Sequence, residues 1–276
     1  MIHDVLKNAY KQLQNIPTNR LDAQILLCHV LGVDKPYLIA HDDRMLNSNE
    51  KKQFQALIER RASGEPVAYI VGMKHFWDLE LIVTPSVLIP RPETEHLIEA
   101  ALSWLKVKEQ IIAVDIGTGS GAIAVTVAKH TEAKMFAVDI SADALSVAQQ
   151  NARKHEVDIQ FYQGSLAQAL ISHGIKVDLL MANLPYIRSD EMTELAVSKH
   201  EPQLALDGGD DGLDLVRDLL LQVPEVCKPG ALILLEIGME QGQAVIDFAR
   251  KNLTLSDASI IKDLAGLDRI VRLELS

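Results

Sequence analysis

A chain of 276 residues is long for one domain and short for three, and its 48% hydrophobic and 24% charged side chains suit a packed globular core rather than a disordered or low-complexity chain. The net charge of −11 argues against tight binding of polyanions, since such affinity rests on lysines and arginines that displace counterions from phosphates, and no nucleic-acid partner is expected. The two cysteines, Cys28 and Cys227, lie far apart and form neither a disulfide framework nor a metal-ligand cluster; no basic leader opens the chain and no apolar run approaches the ~20 residues a bilayer demands, so the expectation is a cytoplasmic protein with free thiols, no metal and no membrane contact.

From Ile2 to Ala62 apolar residues recur at three- and four-residue spacing, as in Leu21, Ile25, Leu26 and Val30, with punctuation at Pro17, Gly32 and Pro36; this predicts a bundle of short helices. Asn47 or Ser48 suits the N-cap of a last helix ending near Ala62, with Ser63 and Gly64 closing it. Residues 1–75 hold 10 basic and 8 acidic side chains and the remainder 17 and 30, compatible with a small partner-binding domain beside an acidic catalytic one. The stretch Gly64–Pro92 is proline-rich and alternates at Leu79, Leu81 and Val83, which predicts a hairpin linker. Pro92 then opens a helix that places Leu97, Ile98, Ala101 and Leu105 on one face.

Beyond residue 110, short β-rich runs alternate with helical ones: Ile111–Asp115, Ala122–Lys129, Met135–Val138, Ala142–Lys154, Ile159–Tyr162, Val177–Ala182, Leu213–Gln222 and Ala231–Ile237. Such alternation predicts an α/β fold, a parallel sheet covered by helices on both faces. Ser259–Lys262 and Arg269–Leu275 read as two further strands able to form an antiparallel edge hairpin.

Within that pattern, Gly117, Gly119 and Gly121 of the run Val114–Gly121 follow a strand and open a helix, where glycines permit a tight turn and close approach of a ligand to the backbone. Asp139 ends the next strand about twenty residues later, placed either to bind ribose hydroxyls or to cap the helix starting near Ser141. A nicotinamide cofactor and S-adenosyl-L-methionine both fit this much. Asn183-Leu184-Pro185-Tyr186, directly after the run Val177–Ala182, separates them. A conjugated amide or amino nitrogen is a poor nucleophile because its lone pair is delocalised. Two acceptors aimed at its hydrogens, the Asn183 side-chain carbonyl and the Leu184 backbone carbonyl, can hold it and stabilise the charge that develops as it attacks a sulfonium methyl, while Tyr186 stacks on the planar group. Pro185 fixes the direction of the Leu184 carbonyl, and proximity supplies much of the acceleration, so no catalytic acid, base or metal is obligatory.

Together the two motifs resemble Class I methyltransferases acting on nitrogen. Gly64–Ile70, Leu88–Glu95, Glu201-Pro202, Ala205–Gly209 and Leu235–Gly238 with Gln241-Gly242 narrow the resemblance, across nearly the whole chain, to the peptide-chain release factor glutamine N5-methyltransferases, the PrmC/HemK family. The resemblance implies a Class I (Rossmann-like) methyltransferase fold with a seven-stranded sheet, a small N-terminal helical-bundle domain and a β-hairpin linker. It divides the chain into residues 1–75, which bind the protein substrate, a linker at 76–91 and a methyltransferase domain at 92–276. It implies methylation of the glutamine in the Gly-Gly-Gln motif of release factors, and a monomer is expected. Cofactor contacts fall to Gly117, Thr118, Gly119, Ser120, Gly121, Asp139, Leu166 and Asn183, and substrate contacts and catalysis to Asn183, Leu184, Pro185 and Tyr186.

Three positions depart from the family pattern: proline is usual where Leu184 stands, and an acidic residue followed by an aromatic where Ser165 and Leu166 stand. Two alternatives stay open, an adenine-N6 methyltransferase acting on RNA, which shares Asn-Leu-Pro-Tyr, and a cofactor-binding protein without turnover. Arg91 reads either as a ligand contact or as a salt-bridge partner of Glu93, Glu95 or the acidic domain. Glu201 falls in a segment able to line the substrate cleft, and the acidic run Asp207–Asp214 reads as a solvated turn entering a helix.

Overall fold

A computed structural model describes residues 1–192 and 200–276, which form two compact units, Met1–Met73 and Lys74–Ser276. The first is helical: α1 (Ile2–Gln12), α2 (Asn19–Leu31), α3 (Lys35–Ala40), α4 (Ser48–Ala62) and α5 (Val67–Val71). Local chemistry sets their ends. Asp34 accepts the Tyr37 amide at 2.9 Å, and Asn47 and Glu50 exchange backbone-to-side-chain bonds of 2.9 Å in a capping box that starts α4. Ile2, Leu26, Leu27, Phe54 and Ile58 form the core of this unit. The buried Asp22 of α2 receives Arg61 of α4 at 2.7 Å and the Thr18 hydroxyl at 2.9 Å, so its charge is paired rather than stranded.

A two-stranded hairpin, β1 (Met73–Phe76) and β2 (Leu79–Ile82), precedes the larger sheet. Asn151 holds it from below: its carbonyl oxygen accepts the Ile82 amide at 2.6 Å, and its NH2 donates to the carbonyls of Ile82 at 2.9 Å and Ser120 at 2.8 Å. Pro92 opens not an α-helix but a 3-10 turn, Pro92–Thr94, from which α6 (Glu95–Leu105) continues. The turn is tighter than the helix its apolar spacing predicts, and it points Thr94 inward, where it is buried.

The sheet has seven strands in the order β5-β4-β3-β6-β7-β9-β8, with β3 (Ile112–Ile116), β4 (Lys134–Asp139), β5 (Ile159–Gln163), β6 (Val177–Ala182), β7 (Cys227–Glu236), β8 (Leu255–Lys262) and β9 (Asp268–Leu275). The first five pair in parallel; β9 runs antiparallel to both β7 and β8. The helices α7 (Ala122–His130), α8 (Ala142–Lys154), α9 (Gln168–Ser172), α10 (Asp214–Val226) and α11 (Gly242–Asn252) cover it. Strand residues alternate between two cores: Ala113, Leu179 and Leu232 join one, Val114, Leu180 and Ile233 the other. A sheet buried on both faces therefore reads as continuous apolar runs. The periodic pattern predicts neither α9 nor α11; the first is a single short turn, and the second follows a glycine-rich stretch.

From β3 the chain winds outward to β4 and β5, then returns to lay β6 on the other side of β3. The crevice beyond the carboxyl ends of β3 and β6 is thus the topological switch point, where open α/β sheets take their ligands. Among the described residues, no helix is long and apolar enough to cross a membrane.

Candidate active site

Three left-handed glycines, Gly117 (φ 74°), Gly119 (φ 54°) and Gly121 (φ 81°), turn the chain from β3 into α7. A Cβ on Gly117 would meet Leu184 Cδ2 at 3.1 Å, and one on Gly121 would meet the Ala148 Cβ of α8 at 3.2 Å. The first glycine therefore keeps the turn close to the 183–186 loop and the third lets two helices approach. Gly117, Thr118, Gly119 and Ser120 line a cleft together with Asp139, Leu166, Asn183, Leu184 and Pro185; Gly121 and Tyr186 lie outside that lining.

Asp139 ties the glycine turn to the start of α8 without capping that helix, a role that falls to Ser141. Its Oδ2 accepts the Gly119 amide at 2.8 Å and its Oδ1 the Ser141 amide at 2.9 Å, while Ser141 caps α8. Each carboxylate oxygen keeps a lone pair for a ligand hydroxyl, and the residue lines the cleft. Under the turn sits Asp115, fully buried, its Oδ2 accepting the Thr118 hydroxyl at 2.6 Å and the Ala124 amide at 3.2 Å and its Oδ1 without a partner among the described residues. Burial, against those two bonds and with the Asp139 charge adding to it, pushes its carboxyl up to about 7. A folded-state value above the unfolded one makes the native state bind the extra proton, so stability falls as pH rises from about 4 to about 7, by up to ~1.4 kcal/mol per pH unit from this group. Asp115→Asn is expected to flatten that part of the stability-pH curve in denaturant titrations, becoming relatively more stable than the parent above pH 7.

At the end of β6, Asn183 donates from Nδ2 to the Thr94 hydroxyl oxygen at 3.1 Å. The loop it begins rests on backbone contacts. Gln241 Nε2 donates to the Tyr186 carbonyl at 3.0 Å and to that of Asp211 at 3.3 Å, and Gln241 Oε1 accepts the Gly238 amide at 2.8 Å. A Cβ on Gly208 would come within 2.7 Å of the Pro185 carbonyl, and one on Gly212 would overlap the Tyr186 carbonyl. The run Asp207–Asp214 is thus more than a solvated turn: Asp207, Asp210 and Asp211 face solvent, while Gly208 and Gly212 are buried against the loop. Leu184 is buried on the glycine turn, its side chain filling the space opposite Gly117.

Beside Asn183, at the end of β7, stands Glu236, 2% exposed, with Oε2 unpartnered among the described residues. Burial pushes its carboxyl up to about 7, opposed by hydrogen bonding from Thr94 and Asn183 and by the Arg269 charge, with Glu93 reinforcing the rise. The Tyr186 hydroxyl is pushed up to about 12, first by burial and then by Glu236, against Arg269 and Arg91. Arg91 itself bonds Glu201 at 2.7 Å, with the Glu201 side chain buried. This pair joins two segments that wall the cleft, because Arg91 and Pro202 both line it. Leu166 adopts a left-handed backbone (φ 50°) and lines the cleft beside Gly164 and Ser165. Thr94, Glu236 and Gln241 fall in segments that carry the family resemblance but have no role assigned there, and Gly212 reads from sequence only as part of a solvated turn; their convergence on the 183–186 loop marks them.

Residues 107–238 match the family model described as a methyltransferase domain, and residues 4–72 the one described as PrmC N-terminal domain. A 16S rRNA methyltransferase of T. Thermophilus, solved with AdoMet and guanosine, shares the fold at TM-score 0.55 and 14% identity, over 74% of this chain and 50% of its own. A SAM-dependent methyltransferase from Agrobacterium tumefaciens does so at TM-score 0.52 and 16% identity, over 74% and 70%. The mostly parallel seven-stranded sheet and the glycine turn with its acid at the switch point define an S-adenosylmethionine-dependent methyltransferase. The Release factor glutamine methyltransferase of Bacillus subtilis (strain 168) is 38% identical over 98% of this chain and 96% of its own, and that of Moorella thermoacetica 42% identical over 91% and 89%. The chain belongs to the family of release factor glutamine methyltransferases.

Proposed function

We propose that this protein methylates the side-chain amide nitrogen (N5) of the glutamine in the Gly-Gly-Gln motif of peptide chain release factors, in the cytoplasm and as a monomer. The observation that carries the reading is the set of the Asn183 side chain: its NH2 is bonded to Thr94, which leaves its carbonyl oxygen as the end available to a substrate N–H in a cleft shared with the glycine turn.

The cleft suits the cofactor. Gly117, Thr118, Gly119 and Ser120 admit close backbone approach, Asp139 retains acceptor capacity for ribose hydroxyls, and Ile140, Leu166 and Leu204 provide apolar flanks for a purine. Gly121 serves by packing the helices behind the turn. Bound there, S-adenosyl-L-methionine supplies an electrophilic methyl on sulfur. Asn183 Oδ1 and the Leu184 carbonyl hold the two amide hydrogens, so the nitrogen lone pair is released from resonance and aimed at the methyl carbon. Pro185 restricts the direction of the Leu184 carbonyl. Tyr186 stays protonated at any physiological pH; it lies outside the cleft lining, and its carbonyl, held by Gln241, anchors the end of the loop. As the N–C bond forms, the bond from that methyl to sulfur would break with its electron pair left on sulfur, the thioether S-adenosylhomocysteine leaving, and the nitrogen gives one proton to water. The helical unit, residues 1–73, docks the release factor.

The test offers labelled S-adenosyl-L-methionine with unmodified release factor and, in parallel, ribosomal RNA, followed by mass mapping. One methyl on the Gly-Gly-Gln glutamine is expected; label in RNA adenine, or cofactor binding without transfer to either, would overturn the proposal.

A further inference from the structure

We propose that Glu236, together with Thr94, is a positioning pair that locks the Asn183 amide with its carbonyl oxygen toward the substrate nitrogen and, when Glu236 is ionised, places a negative charge beside it. This rests on the reading that Asn183 receives the substrate amide. The three residues come from separate segments: Thr94 from the turn before α6, Asn183 from the end of β6 and Glu236 from the end of β7. The sheet brings the last two together, because Ala182 pairs with Leu235 in the parallel register and the next residue on each strand is Asn183 and Glu236. Thr94 and Glu236 are both buried, so neither is held in place by water.

An asparagine side chain is nearly symmetric in shape, and nothing about its size decides which end meets the substrate. Here the surroundings decide. The Thr94 oxygen accepts Nδ2 at 3.1 Å while its own hydrogen goes to Glu236, and an ionised carboxylate can only accept, so an Asn183 flipped end for end would set its carbonyl oxygen against Glu236 and regain a donor only by taking the Thr94 hydroxyl away from that carboxylate. Donating its N–H to an anion also polarises the amide, making Oδ1 a stronger acceptor where positive charge develops on the attacking nitrogen. Glu236 touches no reacting atom in this scheme and acts through Asn183.

The charge on Glu236 is conditional. Its carboxyl, raised by burial to about 7, is faced by Thr94 and Glu93 from the turn, by Asn183 and Tyr186 from the loop and by Arg269 from β9. Below that value it is protonated and the polarisation is lost.

The test measures methyl transfer with both substrates saturating, from pH 6 to pH 9, after the parent enzyme has been shown to methylate release factor. That control separates failure of the substrate assignment from failure of this inference. Parent kcat is expected to rise with pH with a midpoint near 7. Glu236→Gln is expected to flatten the profile and lower kcat at pH 8 by about 10- to 100-fold, the loss of one charge-assisted hydrogen bond, with cofactor Kd within about twofold. Thr94→Val is expected to lower kcat similarly and Thr94→Ser to restore it, which decides the matter even if the Glu236 variant does not fold. An unchanged kcat in both Glu236→Gln and Thr94→Val, a kcat loss matched by an equal loss of cofactor affinity, or a parent kcat that does not vary across this pH range would overturn it.

Discussion

Asn183→Ala is expected to lower kcat for methyl transfer by about a thousandfold, while the Kd for S-adenosyl-L-methionine changes by no more than a few-fold. Removing one preorganised hydrogen-bond partner of a transition-state charge typically costs 10²–10³ in kcat, and here the second acceptor, the Leu184 carbonyl, is left to hold the substrate amide alone. The cofactor is expected to notice little, because the groups proposed to hold it are the glycine turn and Asp139, whose bonds to Gly119 and Ser141 do not involve Asn183. Stability should fall as well, by about 1–3 kcal/mol, since Thr94 and Glu236 lose a buried partner. Isothermal titration with the cofactor and single-turnover transfer measure the two arms separately. Asp139→Ala should give the opposite division, with cofactor affinity lost first. Equal losses of cofactor affinity in both variants would break the proposed separation of roles.

Gly212→Ala is expected to reduce kcat by about a hundredfold although Gly212 lies outside the cleft lining. At φ 77° an alanine is strained, and its Cβ would overlap the Tyr186 carbonyl and stand 2.6 Å from Gln241 Nε2. The clash falls on backbone and on the Gln241 side chain that clamps that carbonyl, so the 183–186 loop has to shift, and a displacement of about 1 Å at a reacting centre is worth about 10²-fold. Gly230→Ala is the control: it has the same left-handed backbone, φ 73°, but nothing within 4 Å of the added carbon. It should share the strain, about 1–3 kcal/mol of stability, and keep full kcat. A Gly212 variant no slower than the Gly230 variant would show that the glycine loop does not brace the site.

The two positions differ in how visible they are from the sequence. Asn183 declares itself because its neighbours in the chain, Leu184, Pro185 and Tyr186, complete a local pattern behind a predicted strand. Gly212 sits in an acidic run whose exposed aspartates dominate its composition and suggest only solvation. Its function depends on what lies above its missing side chain, and composition cannot report that. Arg91 and Glu201 are intermediate: each belongs to a recognisable segment, yet their pairing spans 110 positions and becomes apparent only when the two segments meet over the cleft.

The sequence by itself determined the helical first unit, the alternation that builds a parallel sheet, the glycine turn with its acid and the Asn-Leu-Pro-Tyr loop. All of these rest on residues close in the chain, where backbone preference and hydrophobic period act. Tertiary structure alone decided that Thr94 lies on a 3-10 turn, that Glu236 stands beside Asn183, and that Gly208, Gly212 and Gln241 brace the 183–186 loop. Those relations arise from strand register and burial, which bring distant residues within hydrogen-bond reach and exclude the water that would otherwise satisfy them. The orientation of one amide in the cleft depends on both kinds of information, a local motif and its distant supports.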